Sequence, residues 1–238
     1  MPEGYGFPHI GVILVIWMTA SKAAIPDLDR ERRRQARKAQ RHSERRLLIM
    51  HAARNLLVER GIEHFTVADV AQVSQLSKPA VYYYFDSKEA LVFDLAIESL
   101  QIEFNVLSES VHAAKSAVES LVDLIRTRVD FFLNDMNAFR VLHVWAPAMG
   151  LQRRVSQSNT SKQISALLNL ISHRLSTEKT SSNRAVRIDA QQLPQVAWAL
   201  SQGILAQFAA SALQPKDLEQ CRATRDVACR WLLDALVT

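Results

Sequence analysis

The run from Ser77 to Leu91, SKPAVYYYFDSKEAL, gathers hydroxyl, ammonium and aromatic groups into one short span. Successive side chains on a helix stand about 100° apart, so Tyr82, Tyr83 and Tyr84 fan over roughly 200° of its surface and no single buried stripe holds them all. With Val81 and Phe85 four apart on the inward side, Lys78, Tyr82 and Tyr83 project outward. A tyrosine presents a flat apolar body and a hydroxyl that bonds an anionic oxygen, and the lysine adds positive charge. A second cationic element lies upstream: RERRRQARKAQRHSERR, Arg30 to Arg46. Ten of the 29 Lys and Arg but five of the 24 acids precede Leu47, so the surplus there equals the whole chain's net charge of +5. Such a run is either a solvated helix face or an arm for a polyanion. Both elements suit noncovalent grip on a negatively charged surface.

The residues around the tyrosines must be held by helices. In ERRLLIMHAARNLLVERG, Ile49, Ala52, Ala53, Leu56 and Leu57 recur at helical spacing, and Gly61 supplies a left-handed stop. FTVADVAQV follows, with Thr66 and Asp69 as an N-terminal capping pair and Val70, Ala71 and Val73 as a short apolar face. SQLS makes a tight connection, with Ser77 as a cap and Pro79 in the first turn of a third helix ending near Tyr84. DSKEAL restarts a helix, capped by Asp86 or Ser87 with Glu89 in its first turn. Three short helices with a tight turn before the third make a helix-turn-helix.

The series Gly61, Thr66, Val70, Ala71, Ser77, Lys78, Tyr82, Phe85, Ser87, Lys88, Glu89 and Leu91 resembles, in order and spacing, the hallmark of the TetR/AcrR bacterial transcriptional regulators. The match covers about the first fifth of the chain after Ser43. Gln75 stands where the family commonly has the turn glycine, at a cost of about 1 kcal/mol for a left-handed backbone. The resemblance implies double-stranded DNA as partner, with Pro79, Ala80 and Tyr82 at base edges or thymine methyls and Thr66, Lys78, Tyr83, Tyr84 and Lys88 on phosphates. Tyr84 alternatively packs under the first helix. No Arg or carboxamide lies in this helix for bidentate base reading, so readout leans on Tyr and apolar contacts, DNA shape and arm arginines in a minor groove. The arm precedes the first helix directly, which favours Arg32, Arg33, Arg34, Arg37 and Lys38 as DNA-binding residues.

Beyond Leu91 the chain reads as helices only, so the fold class is all-α: a basic arm over 1–42, disordered or helical; a helix-turn-helix domain over 43–90; and a helical domain over 91–238. Helices are expected at Ser87 to about Leu107, Ala117 to Asn134, Ala138 to Trp145, Gln152 to Ser176, Leu193 to Leu213 and Lys216 to Leu236. Ser176 to Arg184 reads as a loop. The last two helices carry Val196, Leu200, Gly203, Ile204, Val227 and Trp231. Small residues and more than one apolar face suit close approach by a second subunit, with part of the set also explained as intrachain core. The resemblance implies a homodimer interface there, and a two-fold reading of a near-palindrome is the physical expectation for one short half-site per chain. It also implies a largely hydrophobic small-molecule effector near Phe104, Phe131, Phe132, Phe139 and Trp145, with Arg140 or His143 as polar handles, although such residues are more often plain core.

Cys221 and Cys229 lie eight residues apart in one helix, roughly 12 Å, too far to bridge. They read as structural thiols of a reducing, cytoplasmic protein. The apolar run Gly11 to Met18 is far short of the roughly 20 residues that span a bilayer and lacks a basic flank, so neither a membrane span nor a signal peptide is expected. Met18 reads as the true start, with 1–17 misassigned or unstructured. No nucleophile elbow, phosphate loop, zinc motif or carboxylate pair is present, so neither an enzyme nor a cofactor is expected. The expected function is a sequence-specific DNA-binding transcriptional regulator, a repressor released by its effector. The alternative is a basic helical protein that binds a membrane surface or a protein partner.

Overall fold

The computed structural model describes residues 10–178, 191–210 and 214–237. Every regular element among them is helical: α1 Ile10–Arg60, α2 Val67–Val73, α3 Lys78–Tyr84, α4 Lys88–Ala113, α5 Ala117–Asn134, α6 Met136–Arg140, a π turn Val141–Trp145, α7 Ala146–Ala148, α8 Gln152–Ser156, α9 Asn159–Thr177, α10 Leu193–Ala206 and α11 Pro215–Val237. The chain forms two compact units, Met1–His51 and Ala52–Thr238, divided inside α1. The expectation of a misassigned or unstructured start at 1–17 falls partly outside the described residues, and the backbone is helical from Ile10.

In the first unit the basic run is helical, and Arg32, Arg33, Arg34, Arg37 and Lys38 are all exposed. Arg30, Arg33, Arg34, Arg37 and Arg41 recur at spacings of three and four, which aligns them as one basic stripe. Local pairs support the helix: Arg33 Nη2 to Asp29 Oδ2 at 3.3 Å and Gln40 Nε2 to Glu44 Oε1 at 2.9 Å. Exposed pairs of this kind stabilise a helix by only about 0.3–0.5 kcal/mol each.

In the second unit α5 is the central rod, packed on by α4, α9, α10 and α11. Leu121, Leu124, Ile125, Val129 and Phe132 along it are fully buried. Its bounds match the sequence expectation because Ser116 caps its N-terminus, accepting from Glu119 N at 3.1 Å. The expected helix from Gln152 to Ser176 is instead broken, since Ser158 takes an extended backbone and caps α9 by accepting from Ser161 N at 3.1 Å. After α6 the helix widens into a π turn, with Ala146 N donating to Val141 O. Pro147 lacks the N–H that an α-helix would give His143 O, so the regular ladder ends here. Of the expected loop, Ser176 and Thr177 close α9, while 179–184 lie outside the described residues. Both cysteines are free and buried, and burial pushes the Cys221 thiol up to about 11, which keeps it protonated and inert.

Candidate nucleic-acid interface

The reading helix is held by caps at both neighbours and by a hydrophobic underside. At the start of α2, Thr66 Oγ1 donates to Asp69 Oδ2 at 2.7 Å, Thr66 N donates to the same oxygen at 2.7 Å, and Asp69 N donates back to Thr66 Oγ1 at 3.3 Å. This is the capping box expected from sequence. The bonds from Thr66 hold the Asp69 carboxyl below its usual range, with the nearby Arg60 charge acting the same way. The Thr66 hydroxyl proton is thereby committed within the protein.

The buried face of α2 is Val67, Val70 and Ala71, continued by Ser74, whereas Val73 is 49% exposed. The expected Val73 contribution is therefore corrected. The stripe follows the 67, 70, 71, 74 spacing, and Val73 falls roughly 110° from its centre.

The turn into α3 relies on Gln75, whose φ of 55° makes it the one non-glycine residue with positive φ among the described residues. Leu76 N donates to Ala71 O at 2.9 Å, and Ser77 caps α3 by accepting from Ala80 N at 3.3 Å. A glycine at position 75 would adopt this backbone without the Cβ clash. Gln75→Gly is expected to stabilise the protein by about 0.5–1 kcal/mol, read as a higher urea midpoint at unchanged m-value.

On α3, Val81 and Phe85 are buried at 0% and 3%, while Tyr82 and Tyr83 are 42% and 71% exposed, as helical phase predicts. Lys78 and Pro79 are exposed beside them, Ala80 is half-buried, and the Lys78 ammonium lies 6.0 Å from the Tyr82 ring centre. Tyr84 is half-buried and meets Tyr83 edge-on at 5.1 Å. The outward surface of α3 is thus a cation beside two phenols on a rigid base.

Lys88 belongs to a different arrangement. Its ammonium donates to Ile62 O and lies 4.4 Å above the Phe65 ring, tying α4 to the connection between α1 and α2. Gly61, with φ 74°, ends α1 just before that connection.

The residues singled out in the larger region divide into four groups. Phe132 and Phe139 are buried core, joined edge-on at 5.2 Å, with His143 at 4.6 Å from Phe139. Phe104 and Phe131 are half-buried. Arg140 and Trp145 line a cleft of 660 Å³. All six expected interface residues, Val196, Leu200, Gly203, Ile204, Val227 and Trp231, line one groove of 610 Å³ along α10 and α11.

Sequence reasoning missed a fully buried ion pair: Arg128 Nε donates to Glu103 Oε1 at 2.6 Å. Arg128 also donates to Ser201 Oγ at 2.9 Å and Gln202 Oε1 at 2.7 Å, and stacks on Trp198 at 4.0 Å. His143 Nε2 lies 3.2 Å from Arg128 Nη2 and accepts from it as a neutral ring. Burial, with the Arg128 charge, drives the imidazole down to about 3. The signal was present: Glu103 and Arg128 each sit on an apolar stripe, between Leu100 and Leu107 and between Ile125 and Phe132.

The capped α2, the left-handed turn and the outward face of α3 define a helix-turn-helix unit joined to a helical scaffold. The model of bacterial regulatory proteins, tetR family, matches residues 49–95, the segment that builds this unit. The HTH-type transcriptional regulator EthR of Mycobacterium tuberculosis is 40% identical over 78 residues, 33% of this chain and 35% of EthR. The match thus spans about a third of that curated relative's length. A TetR/AcrR-family regulator from Thermobifida fusca YX-ER1 superposes with a TM-score of 0.60 at 17% identity, over 80% of this chain and 97% of the other. A tetR-family regulatory protein from Rhodococcus RHA1 also gives 0.60, at 13% identity over 79% and 96%. Residues 49–95 thus match the tetR-family segment, and the chain shares the fold of these two solved structures.

Proposed function

We propose that this protein is a sequence-specific DNA-binding transcriptional regulator, acting without enzymatic chemistry. The observation that carries the reading is the exposed Lys78, Tyr82 and Tyr83 surface on a helix pinned from beneath by Val81 and Phe85. A helix presented this way enters a major groove, its phenols and ammonium meeting phosphates, bases and thymine methyls. Pro79 and Ala80 reach the groove floor with Tyr82, while Thr66 and Tyr84 flank the phosphates. The committed ammonium of Lys88 steadies the unit.

The protein acts as a homodimer in the cytoplasm. Val196, Val227 and Trp231 are 37%, 56% and 55% exposed along the α10–α11 groove. A Cβ added at Gly203 would meet nothing of its own chain within 4 Å, which leaves room for a partner helix. Two reading helices related by a two-fold axis fit a near-palindromic site. A small, largely apolar effector releases the repressor by favouring a dimer geometry in which the two helices no longer match successive grooves.

Selection of bound fragments from random duplex DNA tests the reading. Recovery of one inverted repeat supports it; the absence of any enriched sequence would reject it and turn attention to acidic lipid surfaces. The arm adds exposed positive charge. Replacing Arg32, Arg33, Arg34, Arg37 and Lys38 with Ala is expected to weaken binding to the selected duplex and to flatten the log–log salt dependence by about 0.9 for each phosphate that is no longer neutralised. A slope equal to the parent's means that the arm does not touch DNA.

A further inference from the structure

The cleft that holds Arg140 and Trp145 is walled by two parts of the molecule with different tasks. One wall is the last turn of α1, with Val58 and Gly61, which leads directly into the helix-turn-helix. The opposite wall is α6 and the π turn, with Arg140, Val144 and Trp145. Its 660 Å³ lies within the size range of sites for small organic ligands.

Two branched aliphatic side chains of the lining are left uncovered: Val58 is 48% and Val144 41% exposed. An apolar occupant would take both out of water. The polar element is fixed. Arg140 Nε donates to Ala209 O at 2.8 Å and Nη1 to Asn137 Oδ1 at 2.8 Å, which sets the plane of the guanidinium at the cleft. Partial burial lowers the Arg140 pKa but leaves the guanidinium cationic at neutral pH. This place is separate from the Arg128 cluster, whose His143 and Phe132 are packed against that guanidinium in the core.

We infer that this cleft is the effector site and that it takes an amphipathic carboxylate, its head on Arg140 and its apolar body between Val58 and Val144. The inference rests on the regulator reading only for its consequence. A ligand wedged between the last turn of α1 and the π turn changes how the reading helix is carried, because Gly61 and the short connection after it transmit any shift of α1 to α2.

The test uses the full chain, with decanoate as probe and decanol and decylammonium as controls, followed by calorimetry. Decanoate is expected to bind the parent, with decanol at least about 10-fold weaker and decylammonium weaker still. Val58→Trp, which fills the cleft from an exposed position, should weaken decanoate by about 30-fold or more. Arg140→Gln should erase the preference for decanoate over decanol, with thermal melting used to show that both variants stay folded. Decanoate should also release the selected duplex from the parent but not from Val58→Trp. The inference is overturned if decanoate does not bind the parent, if Val58→Trp binds it as tightly as the parent, or if decanol matches decanoate. Binding that follows the expected pattern in a protein that selects no duplex would uphold the cleft and sink the regulator reading.

Discussion

Replacing Arg128 with leucine is expected to cost the fold about 3–5 kcal/mol, the largest loss from any single substitution considered for this chain. Glu103 and Arg128 are both 0% exposed, and removing the guanidinium strands a carboxylate whose Oε2 already has no hydrogen-bond partner. Ser201, Gln202 and His143 lose a donor in the same step. Burial raises the Glu103 pKa, outweighing the opposing attraction of Arg128. Because the folded value lies above the unfolded one, this group's contribution is full at low pH and is lost as pH rises through the folded pKa. Leucine at position 128 removes the attraction and raises that pKa further, so the deficit should be larger at pH 8 than at pH 5. Urea unfolding at the two pH values measures it. Glu103→Leu combined with Arg128→Leu should be less destabilised than Arg128→Leu alone, since neither charge is then left unpaired. An Arg128→Leu protein within about 1 kcal/mol of the parent would show that the network contributes little.

The second large effect is on DNA. Lys78→Ala with Tyr82→Ala is expected to lower affinity for the selected duplex by roughly 30- to 100-fold while leaving the melting temperature within a degree or two. The separation follows from geometry. Both side chains are exposed, and the burial that holds α3 comes from Val81 and Phe85 instead. Fluorescence anisotropy on the labelled duplex, beside thermal melting, reads both quantities. A folded double variant that grips the duplex like the parent would remove α3 from the interface.

Much of the reading head was legible because its determinants are local. Thr66 and Asp69 are three residues apart, Ser77 caps the helix that starts beside it, and Val81 with Phe85 shares one face by helical phase alone. The same phase argument placed Tyr82 and Tyr83 outward and left Tyr84 undecided between the two sides, where it is half-buried. Val73 misled because a two-turn helix offers too few positions to define the centre of its stripe.

What the amino-acid order determined by itself was the all-helical class, the capped helix-turn-helix and the surplus of charge in the arm, each set by contacts or counts within a few residues. Tertiary structure alone decided which polar groups meet across long separations: Arg128 with Glu103, 25 residues away, and with Ser201, 73 away. It also decided that Arg140 and Trp145 open onto a cleft while Phe132 and Phe139 fill the core. Helical periodicity reports which way a side chain points from its own axis. Whether it then meets solvent, a cavity or a buried charge depends on which other helix packs there.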